Sequence, residues 1–378
     1  MNERFEQKCE TAKEHYYENI VEDLKESNVG QWYSKVKRMM GKKSDSDYSI
    51  EELDDVNEDR QAEVIADFYA KISNEYEAIE DDSIPKQWYK TDQPCPFIEE
   101  YQVYKGIMKM SARKSTVKDD IPMKIIKEFS VELSEPLSFI FDVSLWNGQY
   151  PNLWKIQVIT PAAKVHPPEK IKHLRPISGL KNFAKIFESF LAEFIVEDMK
   201  PTKDRAQYGN EKSTSIQQYL VKMIHTILTA LDKNNKNEAN AVIVQLIDWQ
   251  SAFDRQCHVL GVKSFLENGV RKSIIPLLIN YFQNRQMTVK WKGNFSHPRP
   301  LPGGGAQGGA LGGLEYLSQT NRNVDFMDDD MKYKFIDDLS LLEVINLVMC
   351  GISSYNFKNH VASDIGISTW KISTKQNF

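Results

Sequence analysis

Ala241-Val242-Ile243-Val244-Gln245-Leu246-Ile247-Asp248-Trp249-Gln250-Ser251-Ala252-Phe253-Asp254 begins as a short, β-branched, nearly continuous apolar run and ends among carboxylates. That pattern predicts a strand buried on both faces. Asp248 stands at the strand exit, where a rigid backbone can aim a carboxylate into a cleft. The plainer reading is an Asp that caps the next turn, and this stretch alone does not separate the two.

Working outward, Tyr333-Lys334-Phe335-Ile336-Asp337-Asp338-Leu339-Ser340-Leu341-Leu342 reads as a hairpin, two short apolar runs around adjacent acids. Two carboxylates side by side repel each other unless a cation neutralises them. Magnesium takes hard oxygen ligands and is commonly shared between one or two carboxylates and substrate phosphates, although an exposed Asp-Asp turn would look the same. Between the two stretches lies Pro302-Gly303-Gly304-Gly305-Ala306-Gln307-Gly308-Gly309-Ala310-Leu311-Gly312-Gly313, with seven glycines in twelve residues. Such density lets backbone approach a ligand closely. It has neither the Lys-Ser/Thr ending of a P-loop nor the dinucleotide-binding Gly-x-Gly-x-x-Gly pattern.

Upstream, Trp154 to Pro161 reads as a strand followed by Lys164, and a loop leads to Arg175-Pro176-Ile177-Ser178. Helical spacing is visible over 11–40, from about Gln61, near 101–108, from Pro122 past Pro136 to Leu145, over 182–199, and over 214–232 behind Ser213 as N-cap. Lys42 to Arg60 is acidic and Ser-rich and reads as a linker. Pro85 to Pro96 is a second irregular connector, and Lys114 to Asp120 a polar loop.

The net charge of −5 conceals an uneven distribution. Residues 1–100 hold 13 basic against 26 acidic side chains, 101–300 hold 29 against 18, and 301–378 hold 6 against 9. A basic middle suits a polyanionic partner, and an ordinary solvated surface explains the charge alone equally well. No run reaches the ~18 apolar residues of a spanning helix, and the charged N-terminus lacks a secretory core, so no membrane is expected. The four cysteines lack metal-site spacing, which points to reduced thiols inside a cell. Seven scattered histidines argue against a nuclease or phosphatase with a His-rich metal site.

Taken in order, these pieces resemble the reverse transcriptases of non-LTR (LINE-like) retrotransposons. The landmarks run from about Lys114 to Tyr355: Lys-Ser-Thr with Asp-x-Ile-Pro, the Trp-Lys strand ending at Lys164, Arg175-Pro-Ile-Ser, Gln207-Tyr208-Gly209, Asp248 with Ala252-Phe253, Gln307-Gly308, and Asp337-Asp338. The resemblance implies an α+β fold, the fingers and antiparallel palm sheet of a right-hand polymerase. It implies template-directed nucleotidyl transfer from a dNTP to a primer 3′-hydroxyl, with RNA template, DNA primer and dNTPs as partners. Asp248, Asp337 and Asp338 would be the catalytic and metal-binding carboxylates for two Mg²⁺, with Mn²⁺ as substitute. Lys164 and Arg175 would hold the triphosphate, Phe253 would exclude a ribose 2′-hydroxyl, and Gln307 and Gly308 would flank the nascent base pair.

The expected organisation is a helical acidic leader over 1–97, fingers and the start of the palm over 98–240, palm over 241–355, and a divergent tail over 356–378. Departures from the family pattern are Ala306, Gly309 and Gly313 in the Gly-rich loop and Ile336 before the Asp pair. No counterpart of the thumb or endonuclease is read, so the resemblance implies a truncated copy, with a partner chain as a source of either part. The second reading is an impaired relic that at most binds nucleic acid. Nuclear or cytoplasmic location follows only from the resemblance.

Overall fold

The computed structural model describes residues 50–112, 117, 119–211, 213–232, 240–249, 251–346 and 372–373. The helical pattern over 11–40, Lys114 to Thr116, Gln250 and most of the tail lie outside the described residues. Helices run over Glu58–Ser73 (α1), Lys86–Tyr89 (α2), Glu100–Lys109 (α3), Met123–Glu128 (α4), Ser130–Asn147 (α5), Asn182–Met199 (α6), Ile216–Asp232 (α7), His258–Glu267 (α8), Ile275–Phe282 (α9) and Ala310–Thr320 (α10). Strands run over Ile156–Ala163 (β1), Leu174–Gly179 (β2), Asn240–Trp249 (β3), Gln286–Trp291 (β4), Asn294–Phe295 (β5), Arg299–Pro300 (β6), Lys332–Phe335 (β7), Asp338–Asn346 (β8) and Ile372–Ser373 (β9). The architecture is mixed, with helices packed on two mainly antiparallel sheets, as an α+β class requires.

The first sheet has the order β2-β1-β4-β5, with β6 also on β4; β1 pairs antiparallel with β2 and parallel with β4. The strand read from Trp154 to Pro161 is thus part of a larger sheet, in which β4 continues beyond the β1–β2 pair. Helix α1 covers one face. Ile50, Leu53, Ala62, Ile65 and Tyr69 share a core with Ile159, Met287, Val289 and Trp291. The acidic stretch read as a linker thus packs through Ile50 and Leu53 while Glu51 and Glu52 stay exposed. The Trp291 indole N–H donates to Gln61 at 3.0 Å, which satisfies a buried polar group.

The second sheet has the order β7-β8-β3-β9. Its central strand departs from the expectation of burial on both faces. Ile247 and Trp249 are buried against Tyr316 of α10, whereas Leu246 on the other face is 70% exposed. Helix α7 covers that other face only farther along, through Tyr219 against Tyr333 and Leu342. The apolar run is continuous in sequence, yet its burial alternates with the period of a strand.

Two other details differ. The single helix read from Pro122 to Leu145 is divided at Phe129 into α4 and α5, and α5 contains Pro136. The cap of α7 is Ser215, whose hydroxyl accepts the Gln218 N–H, while Gln218 returns a bond to the Ser215 N–H. Ser213 is in the left-handed region. Among the described residues no helix is long and apolar enough to cross a membrane.

Under the β7–β8 hairpin sits a buried ion pair. The Lys334 ammonium lies 2.6 Å from Asp204, and Lys332 approaches the same carboxylate at 3.8 Å. Burial would raise the Asp204 pKa, but the bond and charge of Lys334 outweigh it and hold the carboxyl below its usual range. Replacing Asp204 with Ala leaves the buried Lys334 ammonium without its counter-ion, while Lys332 keeps Asp329 at 3.2 Å. Asp204→Ala should destabilise the fold by about 3–5 kcal/mol, read as a lower midpoint in urea unfolding. Because the folded carboxyl titrates low, the wild-type advantage should persist at neutral pH and fade as pH falls through that folded value.

Candidate active site

The register of β3 and β8 places Asp248 directly opposite Asp338, and Asp337 is the second residue of the two-residue turn between β7 and β8. Cross-strand partners on one face bring their Cβ atoms to roughly 5 Å. Two residues 89 positions from Asp248 or more are thereby brought to one end of one sheet. The Asp338 carboxyl is pushed up by burial and further by the charges of Asp337 and Asp248. The Tyr316 hydroxyl is raised by burial first and then by the same three carboxylates. All four groups therefore occupy one electrostatic neighbourhood.

The turn itself is held from below. Gln207 Oε1 accepts the N–H groups of Ile336 at 3.0 Å and Gly209 at 2.8 Å. The Tyr208 N–H donates to the Lys334 carbonyl, and the Lys334 N–H to Ala206. A Cβ on Gly209 would stand 2.5 Å from the Ile336 nitrogen, so only glycine allows this approach. Ile336 has φ +58°, an unfavourable conformation for a β-branched residue. The Gln-Tyr-Gly landmark is thus the clamp on the acidic turn.

Phe253 stacks on Tyr316, with ring centroids 5.4 Å apart, and lines a cavity of about 220 Å³ together with Gly308, Gly309, Asn210 and Ile336. The Gly-rich loop is laced to the segment after β3. Gly305 N–H donates to Phe253, Gly304 N–H to Gln256, and the Gln307 side-chain amide to Asp254 at 2.9 Å. On its other side the Gln307 carbonyl accepts the Ser178 N–H at 2.8 Å. Gly308 has φ +126°, and a Cβ there would meet the Ser178 carbonyl oxygen at 2.8 Å. The glycine is therefore needed for contact with β2. The N-terminus of α10 is already capped, since Glu188, whose carboxyl burial pushes up, accepts the Ala310 N–H at 3.2 Å.

Lys164 and Arg175 lie at the far end of the β1–β2 pair. Arg175 pairs with Ala162, and the Lys164 N–H extends the ladder to the His173 carbonyl. Both side chains are exposed and neither has an ion-pair partner among the described residues. Strand β2 joins Arg175 to Ser178, so the cations are about 10 Å along a strand from the Gln307 contact. Asp248, Asp337 and Asp338 are brought together at one end of the second sheet, within reach of Tyr316 by charge, and Phe253 stacks on Tyr316, while Gln307 and Gly308 form the adjoining wall. Sequence reasoning missed Asp204, Glu188 and Tyr316; each is an isolated residue whose partner is over 100 positions away or on another element, and no local spacing marks it.

Among the described residues no three His, Cys, Asp or Glu side chains converge closely enough to hold a metal ion unaided. The three carboxylates nevertheless fit a hard divalent cation in donor chemistry. They supply only oxygen, and their mutual repulsion is what a cation relieves. Magnesium completes such sites with water and substrate phosphate, so a full protein cage is not required.

No protein-family model matches the chain. Over 259 residues it is 27% identical to the "probable RNA-directed DNA polymerase from transposon BS" of Drosophila melanogaster, covering 66% of this chain and 28% of the relative. Its similarity is to transposon RNA-directed DNA polymerases. A second such polymerase, from transposon X-element of the same organism, is 25% identical over 292 residues, which is 74% of this chain and 32% of the relative. The chain thus spans about a third of the length of these curated polymerases.

Gly308→Ala should lower the stability by about 1–3 kcal/mol, because it adds both a strained φ and a backbone clash. Thermal unfolding of the variant checks this. Asp338→Asn should act in the opposite sense. The raised folded pKa of Asp338 means that wild-type stability falls as pH rises from the ordinary carboxylate range through that folded value. The Asn variant should therefore melt higher at neutral pH, with the difference vanishing in acid where both carboxyl states are protonated.

Proposed function

We propose that this chain is the core of an RNA-directed DNA polymerase, transferring nucleotidyl groups from dNTPs to a primer 3′-hydroxyl on an RNA template. The observation that carries the reading is the pairing of Asp248 with Asp338 across the sheet, with Asp337 in the adjoining turn. The similarity to transposon polymerases supports it independently. In the reaction the primer hydroxyl loses its proton and attacks the α-phosphorus, and pyrophosphate leaves. Two Mg²⁺ bound between these carboxylates and the triphosphate would lower the pKa of the attacking hydroxyl and neutralise the leaving group.

Each remaining residue has a role set by its chemistry. Asp248 and Asp337 bind the cations and Asp338 assists. Lys164 and Arg175 pair with the triphosphate, which a neutral side chain could not do. Phe253, braced by Tyr316, presents a ring to the sugar and discriminates against a 2′-hydroxyl. Gln307 and Gly308 flank the new base pair. The segments upstream of β3 serve as fingers, and the second sheet as palm. RNA, DNA primer and dNTPs are the partners this reading requires, and Mn²⁺ is the expected substitute for Mg²⁺.

Primer extension on an RNA template with Mg²⁺ is the test. Asp337→Asn should reduce extension by roughly 100-fold or more, as loss of a group that stabilises transition-state charge does. Lys164→Ala and Arg175→Ala should raise KM for dNTP by roughly tenfold and leave template–primer affinity within about twofold. Template binding without any extension would instead identify a nucleic-acid-binding module.

A further inference from the structure

Asp254 follows Phe253 but is no part of the carboxylate cluster around Tyr316. Its neighbours among the described residues are the Gln307 amide at 2.9 Å, the charge of Arg255, and a cavity of about 30 Å³ that it lines with Tyr69, Ser178 and Gly303. Arg255 is itself engaged by Glu75 at 2.6 Å, which leaves Gln307 as the group bonded to the Asp254 carboxylate. Burial pushes the Asp254 carboxyl up to about 6 against the pull of Gln307 and Arg255. The carboxyl is therefore ionised at neutral pH.

An ionised carboxylate only accepts hydrogen bonds, so the NH₂ of Gln307 must face it and the two ends of the amide cannot exchange. The Gln307 backbone is fixed as well, by Ser178. Residues 306–309 then have two anchors on opposite sides, β2 through the main chain and Asp254 through the side chain. Ala306, Gly308 and Gly309 are wall residues of the larger cavity beside Phe253. Displacing Gln307 moves that wall.

Resting on the polymerase reading, we propose that Asp254 is a positioning residue for the incoming nucleotide: by orienting the Gln307 amide it holds the Gly-rich wall at nucleotide-binding distance. It does not touch the reacting atoms, so its loss should appear in nucleotide affinity and not in turnover. Asp254→Leu removes the acceptor at similar volume. Asp254→Asn keeps an oxygen that can accept from Gln307 and should rescue.

The test measures dNTP affinity by equilibrium binding with Mg²⁺, and kcat and KM in primer extension, on the full chain. Asp254→Leu should weaken dNTP binding roughly tenfold with kcat within about twofold, and Asp254→Asn should stay within about threefold of wild type. Gln307→Leu should match Asp254→Leu, and the double variant should be no worse than either, because the two act as one unit. If Asp254→Leu fails to fold, Gln307→Glu breaks the same contact by setting carboxylate against carboxylate, and should give the same loss. Additive losses, or unchanged affinity in Asp254→Leu or Gln307→Glu, would overturn the proposal. Wild type that binds dNTP but extends no primer would refute the polymerase reading and leave Asp254 to be judged by binding alone. Wild type that binds no dNTP would refute both.

Discussion

The hydrogen bond from the Ser178 amide to the Gln307 carbonyl, with Gly308 folded against the Ser178 oxygen, connects the two halves of the molecule. Strand β2 belongs to the first sheet. The Gly-rich loop runs into α10, whose Tyr316 packs on Ile247 and Trp249 of the second. One close backbone approach therefore transmits the position of the sheet bearing Lys164 and Arg175 to the sheet bearing the aspartates. Any side chain at position 308 would separate them. This explains why glycine stands there.

Beneath that junction the interior is unusually rich in ionisable groups. Arg285 is fully buried, with its guanidinium 4.4 Å from the centre of the Tyr281 ring; burial opposes its charge, and Tyr281 and Glu188 sustain it. Glu315 is pushed up to about 8 by burial, so it is protonated at neutral pH. His258 is pushed down to about 4 by burial and is neutral. Because its Nε2 lies 3.1 Å from the Gly304 carbonyl, which only accepts, that nitrogen carries the proton. The Gly-rich loop is thus anchored by Glu188 of α6, His258 of α8 and Asp254 of the turn between β3 and α8. Rigid support of this kind is what keeps a glycine-dense segment in one conformation.

The parts of this structure that sequence made legible share one property, that local pattern and tertiary role agree. The acidic hairpin was readable because a two-residue turn between apolar runs has one regular solution, and β3 because β-branched residues favour a pleated surface. The alternating burial of β3 was not readable, since exposed Leu246 and buried Ile247 are equally apolar. The packing of Ile50 and Leu53 was hidden by their acidic neighbours. Asp204, Glu188 and Tyr316 escaped for a different reason. Their importance comes from partners distant in the chain, and a buried ion pair or a remote helix cap leaves no spacing to read.

Ile336 occupies a backbone conformation that a β-branched side chain resists, between a clamp on one side and mutually repelling carboxylates on the other. The tip of the hairpin is consequently unfavourable taken by itself, and is kept in place by Gln207 and the Asp204–Lys334 pair. A laboratory selection for heat resistance alone would drift toward Gly or Asn at 336 and toward amides in place of the acids, and would arrive at a sturdier protein without the carboxylates on which the proposed chemistry rests. On the proposed reading, thermal stability and chemical competence pull on the same few residues in opposite directions, so neither can stand as a proxy for the other in variants of this chain.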